Sequence, residues 1–167
     1  VKARIYLRSP SLDDETVFIE AVGKSRAIHQ PWVSPPDSSE AFRAYLERMG
    51  QPNHHAFLVC RADTDEIAGI VNITHVVPEP FSSGYLSYYV FSGHEGQGFM
   101  REGLKAVVRH AFDDLRLHRM EANIQPGNEA SIALVRSVGF SKEGFSPRYL
   151  KVDGRWRDHE RWAILVS

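Results

Sequence analysis

Gly93-His94-Glu95-Gly96-Gln97-Gly98-Phe99-Met100 decides the reading of this chain, because it joins a strand-like run, Tyr85–Phe91, directly to a helical run from about Met100 to Leu115. The helical run puts Leu104, Val107, Val108, Ala111 and Phe112 on one face, the spacing of an amphipathic helix. A helix N-terminus offers about four unpaired N–H groups and roughly half a positive charge. Glycines ahead of it let the main chain approach an anion without Cβ clashes, so the segment is a candidate phosphate site.

Two familiar phosphate motifs do not fit. A dinucleotide fingerprint needs G-x-G-x-x-G within a βαβ unit, but Gly96-Gln97-Gly98 is followed by Arg101 and preceded by a hairpin pattern. A P-loop needs Gly-Lys-Ser/Thr, where this chain has Gly98-Phe99-Met100. On the loop alone, an anion site and a plain glycine turn at the helix start both stay open.

Upstream, Ile5-Tyr6-Leu7 reads as a short strand, and Ser11-Leu12-Asp13-Asp14 opens a helix of about Asp13–Val22. The proline-bearing stretch Gln30–Ser39 reads as a loop. Ser38 or Ser39 then caps a second helix with Ala41, Phe42, Tyr45, Leu46 and Met49 on its apolar face. Ala56–Cys60 and Ile67–Val77 are strands split by a polar turn. Downstream, Met120–Gln125 reads as a strand, Asn128 opens a helix that Gly139 ends, and two further strands meet at Asp153-Gly154. The order βααβββαβαββ predicts an α+β fold, a central mixed, mostly antiparallel sheet flanked by helices.

Composition sets the limits. At 167 residues, 43% hydrophobic and 25% charged, the chain suits one domain spanning residues 1–167 with an adequate core. A net charge of −1 supplies no basic field for nonspecific nucleic-acid binding, so an anion must be gripped locally. Cys60, the single cysteine, lies in an apolar run and reads as core packing. No apolar run approaches the roughly 20 residues of a membrane span, and no signal-peptide pattern opens the sequence. A cytoplasmic protein, monomer or homodimer, without a metal is expected: the eight histidines show no H-x-x-x-H spacing.

Taken together, Tyr88-Tyr89-Val90, Glu95-Gly96-Gln97-Gly98-Phe99-Met100, Asn128-Glu129-Ala130-Ser131 and Gly139-Phe140 resemble the GNAT superfamily of acetyltransferases. The late segment Tyr149–His159, with Glu143-Gly144, is similar to the subgroup that acetylates ribosomal-protein alanine. In the loop, Glu95 stands where the superfamily usually has Gln or Arg, and Met100 where it has Gly or Ala. The resemblance implies acetyl-CoA as cosubstrate, with Gly96, Gln97, Gly98, Phe99 and Met100 at its pyrophosphate. The backbone of Tyr89, Val90 and Phe91 would run beside its pantetheine arm, and Asn128 and Ser131 would lie near the sulfur. Glu95 would have to point away from the phosphates.

Acetyl transfer to an amine needs a proton donor for the leaving thiolate and an acceptor for the ammonium proton. Ser131, at the start of a helix capped by Asn128, is the candidate donor. At the two places where related enzymes carry a carboxylate base this chain has Asn123 and Arg148, so the base is left among a water on Asn123, Glu121, His75 and Glu79. Trp32 and Tyr149 are candidate acceptor-binding residues. The resemblance implies a protein N-terminus, the alanine of a ribosomal protein first among them; a small amine and a non-catalytic coenzyme A module are the alternatives.

Overall fold

The structure, a computed structural model, describes residues 2–167. Its strands are β1 (Ile5–Arg8), β2 (His55–Arg61), β3 (Ile67–Val77), β4 (Ser83–Val90), β5 (Arg119–Ile124), β6 (Ser141–Val152) and β7 (Arg155–Leu165). The helices are α1 (Glu15–Lys24), α2 (Arg26–His29), α3 (Ser39–Met49), α4 (Phe99–Asp113) and α5 (Glu129–Val138). The expected order holds, with the single turn α2 added. The four residues of α2 are too few to show a helical period, so the sequence read past them.

Local chemistry accounts for the element starts. Ser11 and Asp14 form a reciprocal capping box ahead of α1, and Asp14 also receives two hydrogen bonds from Arg8, at 2.7 and 3.0 Å. The Ser38 hydroxyl accepts from Ala41 N at 3.1 Å and starts α3. Gly139, at φ 113°, ends α5 in the left-handed conformation.

One seven-stranded sheet runs β1-β2-β3-β4-β5-β7-β6. All its pairings are antiparallel except β4 with β5, which α4 connects as a crossover. Leu104, Val107 and Ala111 of α4 and Val135 of α5 pack on one face with Val59, Leu86, Met120 and Ile124. Phe18, Val22, Phe42 and Tyr45 of α1 and α3 pack on the other with Leu58, Cys60, Ile70 and Phe91. Cys60 is fully buried there, and burial pushes its thiol up, which leaves it a packing residue.

The parallel pair is short, and that shapes the molecule. Pairing runs only from Ser83 opposite Arg119 to Leu86 opposite Ala122. Beyond it, Ser87–Val90 of β4 and Asn123-Ile124 of β5 diverge into a V that opens toward the N-termini of α4 and α5.

Candidate active site

Both arms of the site start from this V. The first, about 500 Å³, runs between β4 and α5 to the start of α4, lined by Tyr88, Tyr89, Val90, Gly96, Gly98, Phe99, Met100, Asn128 and Ser131, among others. Gly96 and Gly98 have φ of 72° and 84°, conformations that side-chain-bearing residues adopt at a cost. Gly98 is the N-cap of α4, and with Phe99, Met100 and Arg101 of the first helical turn, whose N–H groups have no intrahelical partner, it lines the cleft. The Glu95 carboxylate folds back and accepts from Gly93 N at 2.7 Å, and main-chain hydrogen bonds within the loop hold it below the usual carboxylate range.

Two residues expected beside the cofactor stand outside the lining. Phe91 has left β4: its N–H donates to the Ala68 carbonyl at 2.8 Å and its ring is buried against Phe18. Gln97 turns its side chain onto the Gly93 carbonyl at 2.8 Å, and its own carbonyl accepts from Arg4 at 2.9 Å. Tyr89 packs its ring near His29 and Phe91, on the far side of the strand from Tyr88.

His29, which the sequence did not single out, closes the arm from behind. It is 4% exposed, and its Nε2 lies 2.7 Å from the Val90 carbonyl, which can only accept, so the ring donates there. Burial lowers its proton affinity, which favours that neutral form.

At the apex, Asn128 caps α5 by accepting from Ser131 N at 3.3 Å. This orients Ser131, whose hydroxyl lies 2.6 Å from the Tyr88 hydroxyl. Burial pushes the Tyr88 phenol far up, so it stays protonated and can donate. The sequence drew attention to Tyr88 only as part of the strand motif.

The second arm, about 520 Å³, lies beyond the apex and shares Trp32, Val33, Tyr88, Asn128 and Ser131 with the first. Asn123, Tyr149, His75 and His159 also line it. Gln125 fixes the Trp32 loop by donating to the Pro31 and Trp32 carbonyls at 3.2 and 3.4 Å. Of the base candidates, Asn123 and His75 reach this arm, whereas Glu121 is paired with Arg119 at 2.9 Å and Glu79 lies outside the lining. Arg148 takes φ 45° at a bulge of β6, where its N–H donates to Asp158 at 2.8 Å. Among the described residues no group of three or more His, Cys, Asp or Glu could hold a metal.

Comparison with known proteins agrees with this geometry. The family model described as "Acetyltransferase (GNAT) domain" matches residues 4–141. The chain is 35% identical over 151 residues to the [ribosomal protein uS5]-alanine N-acetyltransferase of Escherichia coli, covering 86% of this chain and 78% of that one. It is 25% identical over 152 residues to the spermidine N(1)-acetyltransferase of Vibrio cholerae, with 90% and 87% covered. The solved Mycobacterium smegmatis RimJ in complex with CoA-disulfide superposes with a TM-score of 0.88 at 26% identity, covering 96% of this chain and 81% of that one. A glycine loop at the head of α4, a splayed parallel pair and a family match over most of the sequence lead to one assignment: the chain belongs to the GNAT family of acetyltransferases, with acetyl-CoA as its cosubstrate.

Proposed function

We propose that the protein acetylates the α-amine of a polypeptide beginning with alanine, a ribosomal protein being the first acceptor to consider. The observation that carries this is the lining of the second arm: Trp32, Val33, Tyr85, Ile124, Tyr149 and Leu150 with neutral polar groups and histidines, and among the described residues no carboxylate. A polyamine carries several positive charges whose burial demands paired acidic groups. A peptide N-terminus brings one ammonium and a small methyl, which suit an apolar, aromatic wall.

A groove of about 280 Å³ continues past Trp32 between Gly127 and the exposed Trp156, with Gln125, Pro126, Arg157 and Asp158. It offers a path for the residues that follow the first. The 35% identity to the alanine acetyltransferase of E. coli supports the same acceptor. Such an acceptor goes with a cytoplasmic reaction.

In this reading the main-chain N–H groups of Gly96, Gly98, Phe99 and Met100 hold the pyrophosphate, and the edge of Tyr89-Val90 aligns the pantetheine arm. Acetyl-CoA supplies an activated thioester. Ser131 gives the departing sulfur its proton, and Tyr88 donates to Ser131 and orients it. Incubation with acetyl-CoA and Ala-initiated or Ser-initiated peptides, followed by fragment-ion mass spectrometry, tests the acceptor. The α-amine of the alanine peptide is expected to carry the acetyl group; acetylation of lysine side chains or of spermidine alone would overturn the proposal.

A further inference from the structure

The acceptor arm contains one buried proton acceptor that the sequence reading passed over. His159 of β7 is 4% exposed and lines this arm together with Ser131 and Asn123. It lies one step past the Ile124–Glu160 pair of the β5–β7 register, opposite Ser146 of β6. Alternation along the strands therefore puts it on the same sheet face as Asn123.

Its tautomer is set by the main chain. Nδ1 is 2.9 Å from the Arg157 carbonyl, which accepts only, so Nδ1 carries a hydrogen and, in the neutral ring, Nε2 is the nitrogen with the lone pair. That bond reaches two residues back along the same strand, so it ties no second element to the fold. A buried imidazole with one nitrogen anchored locally and the other left for a cavity has the arrangement of a general base.

We propose that His159 Nε2 takes a proton from the acceptor's ammonium and so frees the amine that attacks. This rests on the reading of the second arm as an amine-acceptor site. His159 removes one proton and passes it to solvent; the freed nitrogen lone pair forms the C–N bond to the acetyl carbon. As the C–S bond breaks, the sulfur takes a proton from Ser131, and the second proton shed by the nitrogen replaces it. One ammonium and one thioester thus give one amide, one thiol and one released proton. The other candidates serve less well: Glu121 is held by Arg119, Glu79 lies outside the arm, a water on Asn123 has only a neutral amide beside it to take up its proton, and His75 is exposed at a bulge of β3.

The test uses the full chain with acetyl-CoA and an Ala-initiated peptide, comparing wild type, His159→Asn, His159→Ala and His118→Asn between pH 6.5 and 9.5. The titratable groups around the arm besides His159 are Tyr85 and Tyr88 of β4, Tyr149 of β6 and His75 of β3. At pH 7, kcat/KM is expected to fall roughly 100-fold in both His159 variants, with acetyl-CoA affinity by calorimetry unchanged and His118→Asn, at an exposed histidine away from the cleft, near wild type. The defect should shrink as pH rises past about 8, where an α-amine loses its own proton, and added imidazole should restore part of the activity of His159→Ala. Wild-type rates in both variants, or a defect constant across pH and untouched by imidazole, would overturn the assignment alone. A wild-type enzyme inactive on every amine would overturn the acceptor reading with it.

Discussion

The Tyr88 hydroxyl stands 2.6 Å from Ser131 Oγ, joining β4 to the first turn of α5 at the point where the two arms of the cleft meet. If Ser131 protonates the leaving sulfur, Ser131→Ala lowers kcat roughly 100-fold with acetyl-CoA affinity nearly unchanged. Tyr88→Phe lowers it less, and the double variant is no slower than Ser131→Ala by itself, because the tyrosine acts through the serine. Steady-state kinetics on the three variants measure this; additive losses would separate the two hydroxyls.

Gly98 tests the placement of the phosphates. Its φ of 84° disfavours any side chain, and a Cβ there meets the Arg4 guanidinium at 3.0 Å. Gly98→Ala is expected to cost about 1–2 kcal/mol of stability from backbone strain. Gly98→Asp adds a negative charge at the helix N-terminus, and acetyl-CoA should bind roughly tenfold or more weaker than to Gly98→Ala. Calorimetry on the pair isolates the charge from the strain.

His29 gives a pH dependence. Burial lowers its proton affinity in the fold, so the unfolded chain takes up the proton first as pH falls. Its contribution to stability is complete above the ordinary imidazole value of about 6.5 and declines as pH drops below it. His54 and His55 are lowered by burial too and share this window. Chemical denaturation at pH 7.5 and 5.5 should therefore show a smaller loss for His29→Gln than for wild type.

The ion pair of Arg8 with Asp14 acts at the opposite end of the scale. Hydrogen bonds from Arg8 hold the Asp14 carboxyl below its ordinary range, so this stabilisation is present at neutral pH and is lost as pH falls below about 4. Asp14→Asn is expected to cost about 1–2 kcal/mol at pH 7, a value discounted because the Arg8 side chain is 40% exposed, and to flatten the acid limb of the stability curve.

What the sequence revealed, and what it hid, follows from the range of the interactions. α4 was legible because five apolar residues recur at helical spacing behind a glycine loop, and β6–β7 because Asp153-Gly154 marks a hairpin. Phe91 reads as strand because an aromatic after Tyr-Tyr-Val continues a β pattern; its core contact with Phe18 is set by tertiary packing. His29 meets a carbonyl 61 residues away, and Tyr88 a hydroxyl 43 residues away, pairings no local pattern encodes. The pairing of Glu121 is legible locally, since Arg119 two positions before it in a strand shares its face.

Which amine this site acetylates is measured by thiol release from acetyl-CoA, followed as kcat/KM with an Ala-initiated peptide, the same peptide with its amino terminus blocked, and spermidine. The alanine peptide should exceed spermidine by roughly 100-fold, and the blocked peptide should release no thiol above background. Release with spermidine equal to or above that with the alanine peptide, or release that ignores the blocked amine, would rule out the α-amine of alanine as the acceptor.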